Sequence, residues 1–503
     1  MILEDRPYQA DCINGIAKGF HAGFMKQLVV MATGGGKTVI FSQVANRFHQ
    51  KRNERTLILA HREELTSQAA AKLEKATGLI ASVEKASLHA DRTAPVVVAS
   101  IQTLQKERLG SWGKDHFGLI VVDEAHHVLA ESYQNILNHF DSRVLGVTAT
   151  PDRGDKKSLA AYFDNLAYEI GLLDLIGQRY LSPIQVKSVP LKIDLNAVKQ
   201  TAGDYDSNQL DAAITPYLKE IARYLATEVP DRKSIVVFLP LIQTSQRFVE
   251  ECRAVGVDAR HVDGMSPDRK EILGSFSKGE FRVLSNAMLL TEGWDEPAVD
   301  CLLVLRPTKS RALFAQMVGR GTRLCPGKRN LLLLDFLWLH ERHDLAKPAS
   351  LVAKTQEEEE SITQALAGDK DLAEAVEDAE NEREAALIRQ IAANVRKKER
   401  FLSIEHVGAL LKDKKIQDYA PVFGWEVAPV TTGQRKVLDR FGLTCNSKGE
   451  ASMVMNRLFT RSKDKLATVK QLSWLVRYNH PHPETATAKE AKDFLDARWA
   501  KKV

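Results

Sequence analysis

Cysteine is scarce in this chain and never clustered: Cys12, Cys252, Cys301, Cys325 and Cys445 are the only five in 503 residues, and no two form a CxxC pair. That spacing argues against a structural zinc and against a disulfide framework, and predicts reduced, mostly buried thiols. Long apolar runs are also missing. A membrane helix needs roughly 20 consecutive apolar residues, and the longest candidate here, "LLLLDFLWL", is interrupted by Asp335. The opening "MILEDRPYQ" has no basic segment followed by an apolar one, so no secretory leader is expected. Together these absences predict a soluble cytoplasmic protein with no membrane partner.

What is present is ordinary globular material, with 44% hydrophobic and 27% charged residues. At about 150 residues per domain, three or so units are expected. The net charge of +5 hides an asymmetry. Residues 357–384 hold twelve acids against two bases, whereas residues 389–503 hold 23 bases against twelve acids. A basic tail of this kind suits a polyanionic partner, although a solvated surface has the same composition.

Short β-branched runs recur in the first third: "QLVVMA", "TLILAH", "PVVVAS", "GLIVVDE" and "VLGVTAT". Each is bounded by helical patterns or turn residues, as in buried parallel strands alternating with helices. A second series, "SIVVFLP", "RVLSNA", "DCLLVLRP" and "NLLLLDF", follows after about residue 185. The fold class is therefore α/β, two tandem doubly wound parallel sheets, expected over residues 1–180 and 181–345 and followed by a helical C-terminal region. Residues 346–411 read as a charged helical connector, with Leu387, Ile391 and Val395 at i, i+4 spacing and Gly368-Asp369 as an interruption. Residues 412–503 read as a basic helical module with an internal echo. "TTGQRKVLDRFG" with "SKGEA" is answered by "ATVKQLSWLVRYN" with "TAKEA", so that Gln434, Leu438, Arg440 and Phe441 recur 37 residues on as Gln471, Leu475, Arg477 and Tyr478. Trp425, Trp474 and Tyr478 fit a helical core or, among arginines and lysines, a base-stacking platform.

The stretch "MATGGGKT" misses the strict phosphate-loop pattern, which places glycine six positions before the lysine; Met31 stands there. Its context is nonetheless right: an apolar strand, a glycine loop and a helical pattern, where backbone N–H groups and a helix N-terminus converge on an anion. Thr33, Gly34, Gly35 and Gly36 form the loop, Lys37 reaches the β and γ phosphates, and the Thr38 hydroxyl binds Mg²⁺. Support comes from "LIVVDEAHH", which puts two carboxylates at the C-terminal end of a buried strand, where doubly wound sheets bind ligands. Asp123 is the expected Mg²⁺ holder and Glu124 the residue that polarises the attacking water. His126 and His127, adjacent in sequence, are expected to point apart and so not to form a metal pair.

With these residues in view, roughly residues 1–340 resemble superfamily 2 helicases and translocases of the DEAH-like kind, whose two sheets are RecA-like. The resemblance implies that Arg6 and Gln9 of "RPYQ" contact adenine, with Tyr8 packing nearby. It implies that Arg62 of "LAHREEL" and Thr103 of "ASIQTL" lie near the nucleic acid backbone. Thr148 and Thr150 of "GVTATP" would couple nucleotide state to strand contact, with His126 hydrogen-bonding between domains. In the second sheet "TEGWDEP" supplies Gly293 and Asp295, and "QMVGRGTR" supplies Gln316 as a coupling residue and Arg320 and Arg323 as arginine fingers. Within the superfamily the motif order is most similar to RadD-type and XPB-like DNA helicases, including bacterial and phage versions. The cysteine-rich zinc region of RadD-type proteins is absent, since only Cys445 lies in that part of the chain. The resemblance implies a DNA helicase or translocase that uses ATP and Mg²⁺ in repair, recombination or replication. Its partners would be single-stranded, duplex or branched DNA and other repair or replication proteins. Alternatives left open are an RNA helicase and a non-unwinding DNA-dependent ATPase subunit of a restriction-type assembly.

Overall fold

The computed structural model describes residues 6–60, 63–149, 159, 161–189, 198, 200–201, 204–287, 290, 294–336, 346–353, 355–366, 370–383, 403–417, 419, 421 and 424–499. Arg62, Thr150, Gly293, Gly368, Asp369, Leu387, Ile391 and Val395 lie outside them, as does the side chain of Trp425.

Two seven-stranded sheets organise residues 1–376 into one compact unit. The first contains β1 (Lys26–Met31), β2 (Thr56–Ala60), β3 (Ala81–Glu84), β4 (Val96–Ser100), β5 (Leu119–Asp123), β6 (Arg143–Thr148) and β7 (Asn165–Ile170). Their spatial order is β3-β4-β2-β5-β6-β1-β7, and every pairing is parallel. Both faces are covered. Along β5, Leu119 and Val121 enter one hydrophobic core while Ile120 and Val122 enter the other. A strand buried on both sides has no polar face to show, hence its continuous apolar run.

β6 lies between β1 and β5, with Val30 opposite Thr148 and Val147 opposite Asp123. The C-terminal ends of these three strands therefore form one edge, at which the glycine loop, Thr148 and the Asp123–Glu124 pair are neighbours. This places the ligand site where the chain leaves a parallel sheet.

The second sheet runs β12-β13-β11-β14-β15-β8-β16. It is built from β8 (Ile184–Ser188), β11 (Ile235–Phe238), β12 (Ala259–Val262), β13 (Val283–Asn286), β14 (Cys301–Val304), β15 (Leu331–Asp335) and β16 (Lys370–Asp371). All its pairings are parallel except that of β16 with β8. A separate two-stranded ribbon joins β9 (Gln200–Thr201) to β10 (Asp204–Tyr205). Residues 346–376, expected as the first part of a connector over 346–411, belong to this unit. Arg311 donates to the Ser350 and Ala353 carbonyls, Lys347 is buried with Glu359 4.0 Å away, and β16 extends the sheet.

Glu377–Val503 form a second compact unit whose described elements are all helices. The two halves of the sequence echo build matching pairs of helices, Thr432–Phe441 with Lys448–Lys463 and Val469–Arg477 with Ala488–Trp499. Their first helices begin alike: Thr431 caps Gln434 and Thr468 caps Gln471, with each glutamine side chain bonding back. Leu438, Leu458, Leu472, Leu475 and Leu495 share one core. Trp474 and Tyr478 are only partly buried against it. Their rings stack at 5.8 Å, with the Arg477 guanidinium 4.8 Å from the Trp474 centroid.

Candidate nucleotide site

The glycine loop bends through two left-handed residues, Gly34 at φ 88° and Gly36 at φ 89°, conformations that L side chains rarely adopt. Gly35 is required for a different reason. A Cβ there would stand 2.7 Å from Cγ and 3.0 Å from Sδ of Met31. Met31 is fully buried, so the residue that breaks the strict pattern fills the floor beneath the loop. The loop then enters the helix Lys37–Arg52, whose N-cap, Gly36, has no side chain to satisfy the first N–H groups. These groups and the helix dipole are left facing the loop.

An aromatic and guanidinium cluster braces this loop. The Tyr8 hydroxyl donates to the Gly35 carbonyl at 2.7 Å, and Arg6 Nη1 donates to the same hydroxyl at 3.2 Å. Burial pushes the Tyr8 phenol up against the opposing pull of Arg6, so it remains a donor. Tyr180 packs edge-on to Tyr8 at 4.9 Å, and the Arg6 guanidinium lies 5.3 Å from the Tyr180 centroid. Gln9 is buried, and its Nε2 comes within 2.5 Å of where a Cβ on Gly36 would sit. Pro7 opens the helix Pro7–His21, which carries Tyr8 and Gln9.

Opposite the loop, the Glu124 N–H donates to Asp123 Oδ1 at 3.1 Å, and Glu124 itself is left-handed at φ 51°. That turn aims its carboxylate back towards the loop. Oε1 lies 3.5 Å from Lys37 Nζ, and Oε2 lies 3.6 Å from His126 Nδ1. Burial pushes the Glu124 carboxyl up, but Lys37 and His126 outweigh it and hold the group below the usual carboxylate range. His126 Nδ1 is also 3.3 Å from Thr148 Oγ1. This contact stays within the first sheet, where sequence reasoning expected a bond between domains. Nor do the two histidines point apart. The chain forms a tight 3₁₀ turn over Ala125–His127, and the rings lie 4.1 Å apart. Among the described residues no group of three or more His, Cys, Asp and Glu is placed to hold a metal ion by itself.

Two buried polar atoms ask for a ligand. Thr33 Oγ1 has no hydrogen-bond partner among the described residues, and Lys37 Nζ has none beyond its 3.5 Å ion pair with Glu124. Together with the glycine cradle and the bare helix start, they fit the phosphates of ATP. Thr38 and Asp123, expected from the sequence as the Mg²⁺ residues, lie at the start of the helix Lys37–Arg52 and at the C-terminal end of β5.

The second sheet reaches this loop directly. A Cβ on Gly319 would stand 2.3 Å from Thr33 Cγ2, and a Cβ on Gly34 would stand 3.2 Å from Thr322 Oγ1. The Ser182 N–H donates to the Thr322 carbonyl at 2.6 Å. Gln316 is buried at the end of the helix Arg311–Val318, which Ser310 caps. Arg320 Nη1 donates to the Trp294 carbonyl at 2.6 Å, and Arg323 Nη1 pairs with Asp295 Oδ1 at 2.5 Å. Thr103 stands apart from this cluster and accepts the Ala86 N–H at 3.0 Å. Sequence reasoning missed the packing of Tyr180 on Arg6 and Tyr8, and the Gly319–Thr33 contact. Neither has a local signal, because each joins distant segments.

Known proteins match this chain over both sheets. Residues 2–153 match the family model "Type III restriction enzyme, res subunit", and residues 217–325 match "Helicase conserved C-terminal domain". The chain is 36% identical over 354 residues to the candidate ATP-dependent helicase IRC3 of Saccharomyces cerevisiae, covering 66% of this chain and 51% of that protein. It is 34% identical over 373 residues to the candidate mitochondrial ATP-dependent helicase irc3 of Schizosaccharomyces pombe, covering 72% of this chain and 62% of that one. The chain thus spans between half and two thirds of the length of these relatives. Among solved structures, the ATP-dependent Type ISP restriction-modification enzyme LlaBIII bound to DNA superposes with a TM-score of 0.57 at 14% identity. That match covers 100% of this chain and 42% of LlaBIII. The fold is that of tandem RecA-like domains followed by helices, and the matched regions are similar to helicases and restriction-enzyme subunits. No helix among the described residues is long and apolar enough to cross a membrane.

Proposed function

We propose that this chain is a DNA-dependent ATPase that converts ATP hydrolysis into movement along DNA, as a helicase or translocase. The observation that carries the reading is the meeting of the two sheets at one loop, with Gly319 and Thr322 of the second against Thr33 and Gly34 of the first. ATP with Mg²⁺, when bound, would supply the bond to be hydrolysed. Lys37 and the start of its helix would hold the phosphates, while Thr38 and Asp123 would hold the metal. Glu124, kept ionised by Lys37 and His126, orients water and accepts its proton. Arg320 and Arg323 approach from the other sheet, so their stabilisation of transferring charge depends on how the sheets are set. For Arg323 to reach phosphate it must leave Asp295. His126 and Thr148 link Glu124 to β6, and Thr103 is a proposed contact for the nucleic acid backbone.

DNA is the favoured track because LlaBIII, which superposes along the whole chain, was solved bound to DNA. Repair, recombination or replication is the setting favoured by the RadD-like and XPB-like motif order. The res-subunit match over residues 2–153 also supports a second reading, in which the motor is the translocating part of a restriction-type assembly and separates no strands.

The test is steady-state ATP hydrolysis by the full chain and by Lys37→Ala, without polymer and with single-stranded, duplex and forked DNA and with RNA. Stimulation by DNA that the variant abolishes is expected. Stimulation by RNA alone transfers the motor to another polymer, and near-normal turnover in Lys37→Ala removes the cradle assignment. Strand displacement on the forked substrate separates the helicase from the restriction-type reading.

A further inference from the structure

One partly buried ammonium outside the residues used so far sits among backbone carbonyls. Lys328, between Arg323 and β15, donates to the carbonyls of Gly321 at 2.5 Å, Arg323 at 2.8 Å and Pro297 at 3.4 Å. An ammonium has three N–H donors, and here they go to two separate segments of chain. Gly321 and Arg323 belong to the turn that carries both candidate fingers. Pro297 belongs to the segment whose Trp294 carbonyl and Asp295 carboxylate already receive Arg320 and Arg323. Each finger side chain thus crosses from one segment to the other, and Lys328 crosses the same gap beneath them. Among the described residues it pairs with no carboxylate at ion-pair distance, so carbonyl dipoles do most of the holding.

We propose that Lys328 is a positioning residue for the finger turn: its ammonium fastens the turn Gly319–Arg323 to the segment Trp294–Pro297 and so sets the approach of Arg320 and Arg323 to the nucleotide. The proposal rests on the ATPase reading above. A neutral amine has one donor fewer and no charge with which to hold carbonyl oxygens, so the fastening depends on protonation. Burial pushes the Lys328 ammonium down to about 8, against the favourable charge of Asp300 and with the opposing charges of Arg323 and Arg232. Cys325 is the other titratable group facing it. Turnover is therefore retained below pH 8 and lost as pH rises through that value. Stability moves the other way. The unfolded lysine keeps its proton to about pH 10.4, so between these values the unfolded chain binds more protons and stability rises with pH. A lysine that only braced the loop would not lower turnover while stability increased.

The experiment measures DNA-stimulated kcat and the apparent unfolding midpoint of the full chain from pH 6.5 to 9.5, for wild type, Lys328→Arg, Lys328→Met and Cys325→Ser. Wild type should lose turnover several-fold between pH 7 and 9, and Cys325→Ser should follow it. Lys328→Arg keeps a charge at all these pH values and should remove the basic limb, while retaining at pH 7 a kcat within a few-fold of wild type. Lys328→Met should have a kcat lowered about tenfold or more at pH 7, no basic limb, and unchanged ATP affinity; wild type should gain stability relative to it above pH 8. If the methionine variant does not fold, the arginine profile and the wild-type midpoints still decide. A basic limb that persists in Lys328→Arg, or normal turnover in Lys328→Met, overturns the proposal alone. Absence of polymer-stimulated hydrolysis by wild type at every pH overturns the ATPase reading and this proposal with it.

Discussion

At Glu124 two opposing effects meet, and the outcome decides what the residue can do. Burial disfavours its charge, yet Lys37 at 3.5 Å and His126 at 3.6 Å keep the carboxyl ionised below its usual range. A carboxylate that is charged throughout the neutral range can accept a proton from water and needs no activation step. Glu124→Gln keeps the size and loses that capacity. Its expected phenotype is normal ATP binding, measured with a fluorescent analogue, with turnover lower by about 10² to 10⁴. Lost binding would instead make the residue structural. His126→Ala tests the cause of the shift. Without the imidazole beside it the Glu124 carboxyl should rise, so the acid limb of kcat should move towards neutral pH. The sign is fixed, because a depressed carboxylate is active above its folded value and loses activity as pH falls through it. An unmoved limb would leave Lys37 as the whole counter-charge.

At the scale of elements, the contact between the finger turn and the glycine loop is steric before it is electrostatic. Gly319 has no side chain because Thr33 occupies the space, with Cγ2 2.3 Å and Cβ 2.6 Å from any Cβ placed there. Gly319→Ala should therefore push the second sheet's turn off the loop, and a misplacement near 1 Å costs about 10²-fold in rate. ATP should still bind the first sheet. Thr33→Ser in the same chain removes the nearer atom and should restore part of kcat; no restoration would mean the loss arises within the turn itself. Neither partner announced this contact in the sequence, because close approach between distant segments leaves no local pattern. What was legible follows burial. The runs "LIVVD" and "LLLLD" became β5 and β15, whose strands are enclosed on both sides and must be apolar throughout. The edge strands β3, "ASVE", and β7, "NLAYEI", are half-exposed and carry mixed residues, and the two-residue β16 has no apolar character to read. The glycine loop and the acidic pair were legible for the same reason as the central strands: their chemistry is contiguous. Met31 was legible only as a departure, since its role as a floor depends on the loop turning back over it.

For the whole molecule the unresolved asymmetry is charge. Residues 389–503 carry 23 Lys and Arg against twelve Asp and Glu, and Glu377–Val503 fold as their own compact unit. If the surplus faces DNA, each phosphate it neutralises releases a counterion. The slope of log K against log salt then steepens by about 0.9 per contact on duplex and 0.7 on single strands. The partly buried Trp474–Tyr478 stack, with Arg477 against it, offers in addition a surface on which a base can rest. Ending the chain at Val376 leaves both sheets and β16 intact, so the comparison with the full chain isolates the helical unit. Affinity for single-stranded and duplex DNA at several salt concentrations should fall on truncation, and its slope should become shallower. Trp474→Ala in the full chain should then weaken single-strand affinity alone and leave the salt slope unchanged, because stacking moves no counterions. Equal slopes for the full and shortened chains would confine DNA contact to the two sheets, and the tail's positive charge would then serve the surface of the helical unit itself.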